Sequence, residues 1–437
     1  MKIDGNRAYE LLKKMNFIRT AGSPKELEAA HLLQEEIRGI GMDSVLESFQ
    51  IPEAEIVQAE LEVLEPYQKS YTVTAYKCSQ NVTDLSAELV YADNANETSL
   101  KSVKGKIVLV NGYLRLPLYK RLIKAGAVGF ITMSGTLLDK EEETDLFVRT
   151  LRENLQTFGL IPGVNIRISD AFEMVTQKAS RVRMTVQTNP MTLTSQNVVA
   201  EIPGTLDPEE VIVFGAHYDS VPFSVGISDN GAGSVINMEL LRYFKENPPA
   251  RTVKFVWFGS EEIGLYGSKA YVKMHEKELP QHIFMINVDI GGLVLGFEMC
   301  NVTASKELTT FIDMFMKIRG YDVEVQQSIY SSDSIPFADK GIPAVNFLRS
   351  GTEGSAFIHS RYDNLDMVSA KALEGTACIV RDFSDTFINA VTFPEKREIP
   401  QEMVEAVDKY LYKKELEEEK KEKGEGSNPT GTIMVKE

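Results

Sequence analysis

Apolar residues recur at helical spacing near the start of the chain. Leu27, Ala30, Leu32, Leu33 and Ile37 mark one face of a helix from about Pro24 to Gly39, and the opening residues predict a shorter amphipathic helix before it. From about Glu55 the pattern changes to short β-rich runs. They include Leu61-Glu62-Val63-Leu64, Tyr71-Thr72-Val73-Thr74, Leu89-Val90-Tyr91 and the buried-strand candidate Lys106-Ile107-Val108-Leu109-Val110. A helix from about Leu118 to Ala125 is expected to stop at Gly126, ahead of a further strand at Val128-Gly129-Phe130-Ile131. Asn189-Pro190 predicts a turn that closes this block.

Beyond about Asn197 the pattern changes again. Strong apolar runs at Val211–Ala216, Val253–Phe258, His282–Val288 and Pro343–Leu348 alternate with helical segments, one of them reaching Phe244. Continuous apolar runs predict strands buried on both faces. The fold class is therefore α/β, a mixed, largely parallel sheet with helices on both faces. The opening helices are expected to join this portion, giving one domain over 1–55 and 191–397 with a β-rich block, 56–190, inserted into it. After about Pro394 the chain turns polar, and Lys413 to Lys423 is almost wholly Lys and Glu. Residues 398–437 read as a charged, solvated helix or tail.

Composition narrows the partners. A chain of 437 residues with 43% hydrophobic content can bury more than one core. Its formal net charge of −16 argues against nucleic acid and anionic membrane surfaces, because phosphates call for a basic footprint. A peptide, whose free amine is cationic, remains compatible. No apolar stretch approaches the roughly 20 residues of a membrane span. The start, Met1-Lys2-Ile3-Asp4-Gly5, shows no secretory apolar region. Cys78, Cys300 and Cys378 are too few and too scattered for a disulfide framework or a thiolate cluster, and buried free thiols in a reducing cytoplasm fit them best. An oligomer is compatible with the sequence, which is silent on the point.

Four places carry chemistry, each at or after a predicted strand end, where open α/β sheets gather their ligands. His217, in Gly215-Ala216-His217-Tyr218-Asp219-Ser220, is a borderline ligand suited to zinc, and Asp219 could accept its other ring N–H. Alone, a His-x-Asp is more often a satisfied core histidine. Asp229, in Ser228-Asp229-Asn230-Gly231-Ala232-Gly233, could bridge two cations, although an isolated Asp before a helix is usually a cap. Glu261 and Glu262 follow the apolar strand Val253–Phe258, and two like charges there cost free energy unless a cation or proton neutralises one. One can bind metal while the other faces water. Asp289, after Asn287-Val288, and His359, in Ile358-His359-Ser360-Arg361-Tyr362-Asp363, complete the group. Together two His, two Asp and a Glu form a thiolate-free N/O set suited to zinc, delivered by strand ends in one alternating pattern that chance rarely produces.

These residues, Ala216-His217-Tyr218-Asp219, Asp229–Gly233, Glu261-Glu262-Ile263-Gly264, Asn287-Val288-Asp289 and His359 with Asp363, resemble the co-catalytic zinc exopeptidases. That family includes the bacterial leucyl aminopeptidases and glutamate carboxypeptidase. The resemblance covers the opening helices and about Asn197–Ala390. In the inserted block, Lys104–Val110, Ala125–Gly129 and Ile161-Pro162-Gly163-Val164 resemble a protease-associated domain, expected to act as a lid that limits substrate length. The resemblance implies a metal-dependent aminopeptidase acting on peptides with two Zn2+ ions, for which Co or Mn could substitute. It implies that Asp229 bridges both ions, that His217 and Asp289 complete one site, and that Glu262 and His359 complete the other. Glu261 would be the general base. Family members often keep the bond after the bridging Asp in the cis form, which is then expected at Asp229–Asn230.

Two departures from the family pattern stand out. The tyrosine that often precedes the last ligand is Ile358 here, and the common Ser-Asp-His triplet is Ser332-Asp333-Ser334. Oxyanion stabilisation must come from the metals or from another group, with Tyr330, Arg361 and Tyr362 as candidates. One alternative is a carboxypeptidase or small-amide hydrolase with the same centre, in which Arg349 and Arg361 could hold a carboxylate. Another is a non-catalytic receptor-like binding protein, which would be expected to have lost ligands that are intact here. A serine hydrolase lacks its Gly-x-Ser-x-Gly elbow, His275-Glu276 has no second His four residues on, and no dinucleotide glycine motif follows a strand.

Overall fold

The computed structural model describes residues 2–424 apart from 112–113, 141–143, 353 and 356. It contains two compact units, one comprising residues 2–51 with Thr194–Leu411, the other Pro52–Leu193 with residues 412–424. The last part of the expected charged tail, 425–437, lies outside the described residues.

In the larger unit, α1 (Gly5–Lys14) and α2 (Pro24–Gly39) precede the sheet. Asp4 caps α1, while Ser23 caps α2 with Pro24 in its first turn. The central strands are β1 (Asp207–His217), β2 (Arg251–Phe258), β3 (His282–Val288), β4 (Phe297–Thr303), β5 (Val323–Gln327) and β6 (Ala344–Ser350). Their order is β5-β4-β6-β3-β1-β2, followed by the end of the long strand Arg181–Ile202. The run β6-β3-β1-β2 is parallel throughout, and antiparallel pairings flank it on both sides.

Neighbouring residues of β1 face opposite cores, which is why its pattern is unbroken rather than alternating. Ile212 and Phe214 join the core formed with α1, α2, α3 (Ala232–Glu246), α5 (Lys306–Arg319) and α6 (Ala370–Ile388). Val211 and Val213 join the opposite core, with Tyr271 and Val272 of α4 (Tyr266–Met274). Gly215 is forced by packing: a Cβ there would lie 2.6 Å from Met285 and 2.7 Å from Asn287. Cys300 is buried in the first core, Cys78 and Cys378 are half-buried, and all three are free thiols. No helix among the described residues is long and apolar enough to cross a membrane.

The smaller unit is also mixed rather than purely β. Strands Val82–Tyr91, Ile107–Leu109, Gly129–Ser134 and Gly163–Arg167 run parallel in that order, with helices at Leu116–Lys124 and Ile168–Thr176. The helix Lys413–Glu422 has no buried residue and is held by the partly buried Tyr412 and Leu416.

Three expectations about local structure differ from what is observed. Leu61–Leu64 is the end of a 21-residue strand, Val45–Glu65. Tyr71–Thr74 is divided between Lys69–Tyr71 and Thr74–Lys77. No turn forms at Asn189-Pro190, which lies inside the strand Arg181–Ile202. That strand is exposed from 189 to 192, where a proline's missing N–H removes no buried ladder bond.

Candidate metal centre

β1 ends at His217 and β3 stops one residue short of Asp289, and these two strands are neighbours. Their carboxyl ends place the two side chains together, with His217 Nε2 3.4 Å from Asp289 Oδ1. β2 delivers Glu261 and Glu262 three and four residues past its end at Phe258. Asp229 comes from the turn ahead of α3, and the Asp229–Asn230 peptide is cis. His359 lies on the loop after β6 with a positive φ of 57°.

The arrangement forms two ligand clusters that share one residue. His217, Asp229 and Asp289 offer donor atoms within 4.8 Å of one another, and so do Asp229, Glu262 and His359. The two oxygens of Asp229 face opposite ways: Oδ1 lies 3.2 Å from His217 Nε2 and Oδ2 lies 3.1 Å from His359 Nε2. His359 Nε2 is also 3.1 Å from Glu262 Oε2.

Hydrogen bonds around these side chains hold them in place. Asp219 accepts the backbone N–H of Glu261 at 3.0 Å and of Glu262 at 3.2 Å, and its Oδ1 lies 3.4 Å from His217 Nδ1. Asp363 accepts the Ser228 amide and hydroxyl, each at 2.7 Å, and the Asp229 amide at 3.0 Å. Asn230 donates to the carbonyl of Val288 at 2.9 Å and accepts from Gly233 and Ile290. It thereby ties the turn that carries Asp229 to the strand end that carries Asp289. Gly233 permits this approach, since a Cβ there would lie 2.2 Å from Asn230 Oδ1. Asp363 was visible in the sequence only as a neighbour of His359, and Asn230 only as part of a glycine-rich turn.

Electrostatics point to missing positive charge. Burial alone would lower both histidines, yet Asp289 and Glu261 hold His217 well above its ordinary value. Against the same burial, Asp229 and Glu262 push His359 up to about 11. Burial and the Asp229 charge push Glu262 up to about 7, with His359 opposing. Burial likewise pushes Glu261 well up, against His217 and with Glu262 and Asp333 adding to it. A divalent cation at each cluster would answer these carboxylates and be ligated by neutral imidazoles. Glu262 Oε1 is buried without a hydrogen-bond partner, as an atom reserved for a cation would be. The donor set, two imidazoles and three carboxylates, suits zinc.

Other expected residues fall in different places. Tyr330 packs beside Ile290, Leu293 and Leu348, and burial followed by the charges of Asp289 and Asp229 raises its hydroxyl. Arg349 is committed to Glu298 Oε1 at 3.0 Å and to the carbonyl of Leu293 at 2.6 Å. Tyr362 is exposed and meets Phe357 edge to face. Asp333 of the departing triplet is fully buried.

Residues 197–384 match the model of Peptidase family M28. Aminopeptidase YwaD of Bacillus subtilis (strain 168) is 27% identical over 378 residues, covering 83% of this chain and 79% of that protein. Carboxypeptidase Q of Homo sapiens is 25% identical over 402 residues, covering 86% and 84%. Among solved structures, BSAP, a zinc aminopeptidase from Bacillus subtilis, superposes with a TM-score of 0.71 at 25% identity, covering 87% of this chain and 95% of its own. The aminopeptidase from Aneurinibacillus sp. strain AM-1 has the same fold, with a TM-score of 0.70 at 24% identity and coverage of 90% and 98%. The matched residues, which carry both clusters of possible metal ligands, thus tie the larger unit by similarity to peptidase family M28 and its zinc aminopeptidases.

Proposed function

We propose that this chain is a metal-dependent aminopeptidase that hydrolyses the N-terminal peptide bond of peptides. The observation that carries the reading is Asp229, whose two oxygens face two separate ligand clusters with Glu261 beside them. Two zinc ions held by His217, Asp229, Asp289, Glu262 and His359 would supply an acidified water and a polarised scissile carbonyl. Glu261 is then the general base: it takes the proton from the water and returns it to the leaving amine. Asp219 keeps His217 and the Glu261–Glu262 backbone in register, and Asp363 does the same for Asp229.

An aminopeptidase fits better than a carboxypeptidase because of charge. Arg349, one of the two cations suggested with Arg361 for holding a terminal carboxylate, is instead paired with Glu298. We read the inserted unit as a protease-associated domain. The free thiols fit a reducing compartment.

The test uses zinc-loaded protein and one short peptide in free, N-acetylated and C-amidated forms, each with a chelator control. Cleavage abolished by acetylation and by chelator, but not by amidation, is the expected result. The reverse dependence on the two blocking groups would establish a carboxypeptidase.

A further inference from the structure

Two fully buried charged residues lie near the start of the chain, Arg19 in the connection between α1 and α2 and Glu26 in the first turn of α2. Neither belongs to the ligand set, and each reaches one half of the metal centre. The Arg19 guanidinium donates to the carbonyls of Tyr218, Val225 and Gly226, the last at 2.7 Å, and also to those of Met15 and Phe17. Its main chain pairs with Ser220 in both directions, accepting the Ser220 amide at 3.2 Å and donating to the Ser220 hydroxyl at 3.1 Å. The stretch 218–226 is the link between the ligands His217 and Asp229.

Glu26 works on the other half. Its Oε1 accepts the Ser260 amide at 2.8 Å and the Ser260 hydroxyl at 2.9 Å, while Oε2 accepts the Gly22 amide at 2.8 Å. Ser260 adopts a left-handed φ of 55° and is the residue immediately before Glu261 and Glu262. A non-glycine residue holds that conformation only when its surroundings impose it.

A fully buried guanidinium is costly unless its donors are used and its charge is answered. Here the donors meet carbonyls; burial lowers the guanidinium to about 10, and Asp219, Asp363, Asp229 and Glu262 offset part of that effect at a distance. Arg19 therefore serves a metal centre rich in carboxylates rather than a local ion pair. From this juxtaposition we infer that Arg19 and Glu26 are positioning residues. Together they strap the His217–Asp229 link and the Ser260 turn at the separation that lets both ligand clusters share Asp229. The inference rests on the proposed two-metal function.

The experiment compares Arg19→Met, Arg19→Lys and Glu26→Ala with the parent chain. In the metal-free proteins, amide exchange over 218–230 and 259–264 reads the strap without reference to metal or activity. In the cobalt-loaded proteins, the visible absorption bands read ligand geometry. Arg19→Met and Glu26→Ala should speed exchange in those two segments about tenfold or more and shift the cobalt bands. They should lower kcat about 10–100-fold with KM little changed. Arg19→Lys, which keeps the charge and some of the donors, should recover part of each effect. Unchanged exchange in both segments, or unchanged cobalt bands in a folded Arg19→Met protein, would overturn the inference. If Arg19→Met does not fold, Arg19→Lys and Glu26→Ala decide by the same criteria. A parent chain that takes up no cobalt would sink the two-metal reading itself, while the exchange result would still judge the strap.

Discussion

Asp219 accepts the backbone N–H of Glu261 at 3.0 Å, so the carboxylate facing the His217 ring also holds the main chain of the proposed base. Its second oxygen takes the N–H of Glu262. Both oxygens are therefore needed as acceptors, and Asp219→Asn would turn an N–H donor against another donor. Metal affinity or kcat should fall about 10–100-fold in a protein that still folds. Chelator competition together with steady-state kinetics measures both, and parent-like values for each would remove Asp219 from this role.

Glu261 offers no atom to either ligand cluster. Glu261→Gln should therefore keep two metal ions per chain, by elemental analysis, and lose about 10²–10⁴-fold in turnover. Full occupancy with a near-parent rate would show that the proton goes elsewhere.

Ligands for the two clusters come from separate loops, so metal binding links segments that are far apart in the chain. Zinc at roughly a thousand times its dissociation constant should stabilise the folded state by about 4 kcal/mol. Calorimetry should show a rise in Tm on loading. Asp229→Asn, which touches both clusters, should lose more of that rise than Asp289→Asn, which touches one. Equal losses would argue against a shared ligand.

His275 lies outside the centre, with Nε2 2.8 Å from Glu47 and Nδ1 3.0 Å from Glu278. Burial would lower its pKa, but Glu47 outweighs burial and the folded value is raised above 6.5. The folded state thus holds the proton more tightly than the unfolded one. The stabilisation is complete below about pH 6.5 and fades as the pH rises through the raised folded pKa. His275→Gln should lower Tm more at about pH 6 than at about pH 9. A deficit that stays constant across that range would mean the ring acts through packing alone.

Much of the site was legible in the chain because its signals are local. Val211–Ala216, Val253–Phe258 and His282–Val288 are continuous apolar runs, so their ends could be located and the polar residues after them singled out. His217, Glu261, Glu262 and Asp289 were singled out in this way, Asp229 at a glycine-rich helix entry and His359 after a Gly/Ser-rich loop, and the family resemblance suggested how they divide. Local signals also misled: Asn189-Pro190 has turn composition, yet long-range pairing carries the strand through it. Only the tertiary structure decided that Asp229 faces two imidazoles at once, that Asp363 anchors it, and that Arg19 and Glu26 reach the centre from the start of the chain. Arg19 meets Tyr218 across 199 positions and Glu26 meets Ser260 across 234. Neither contact leaves any periodicity behind. Periodicity records which face of an element is buried, whereas the answering of a buried charge depends on whatever the fold brings beside it.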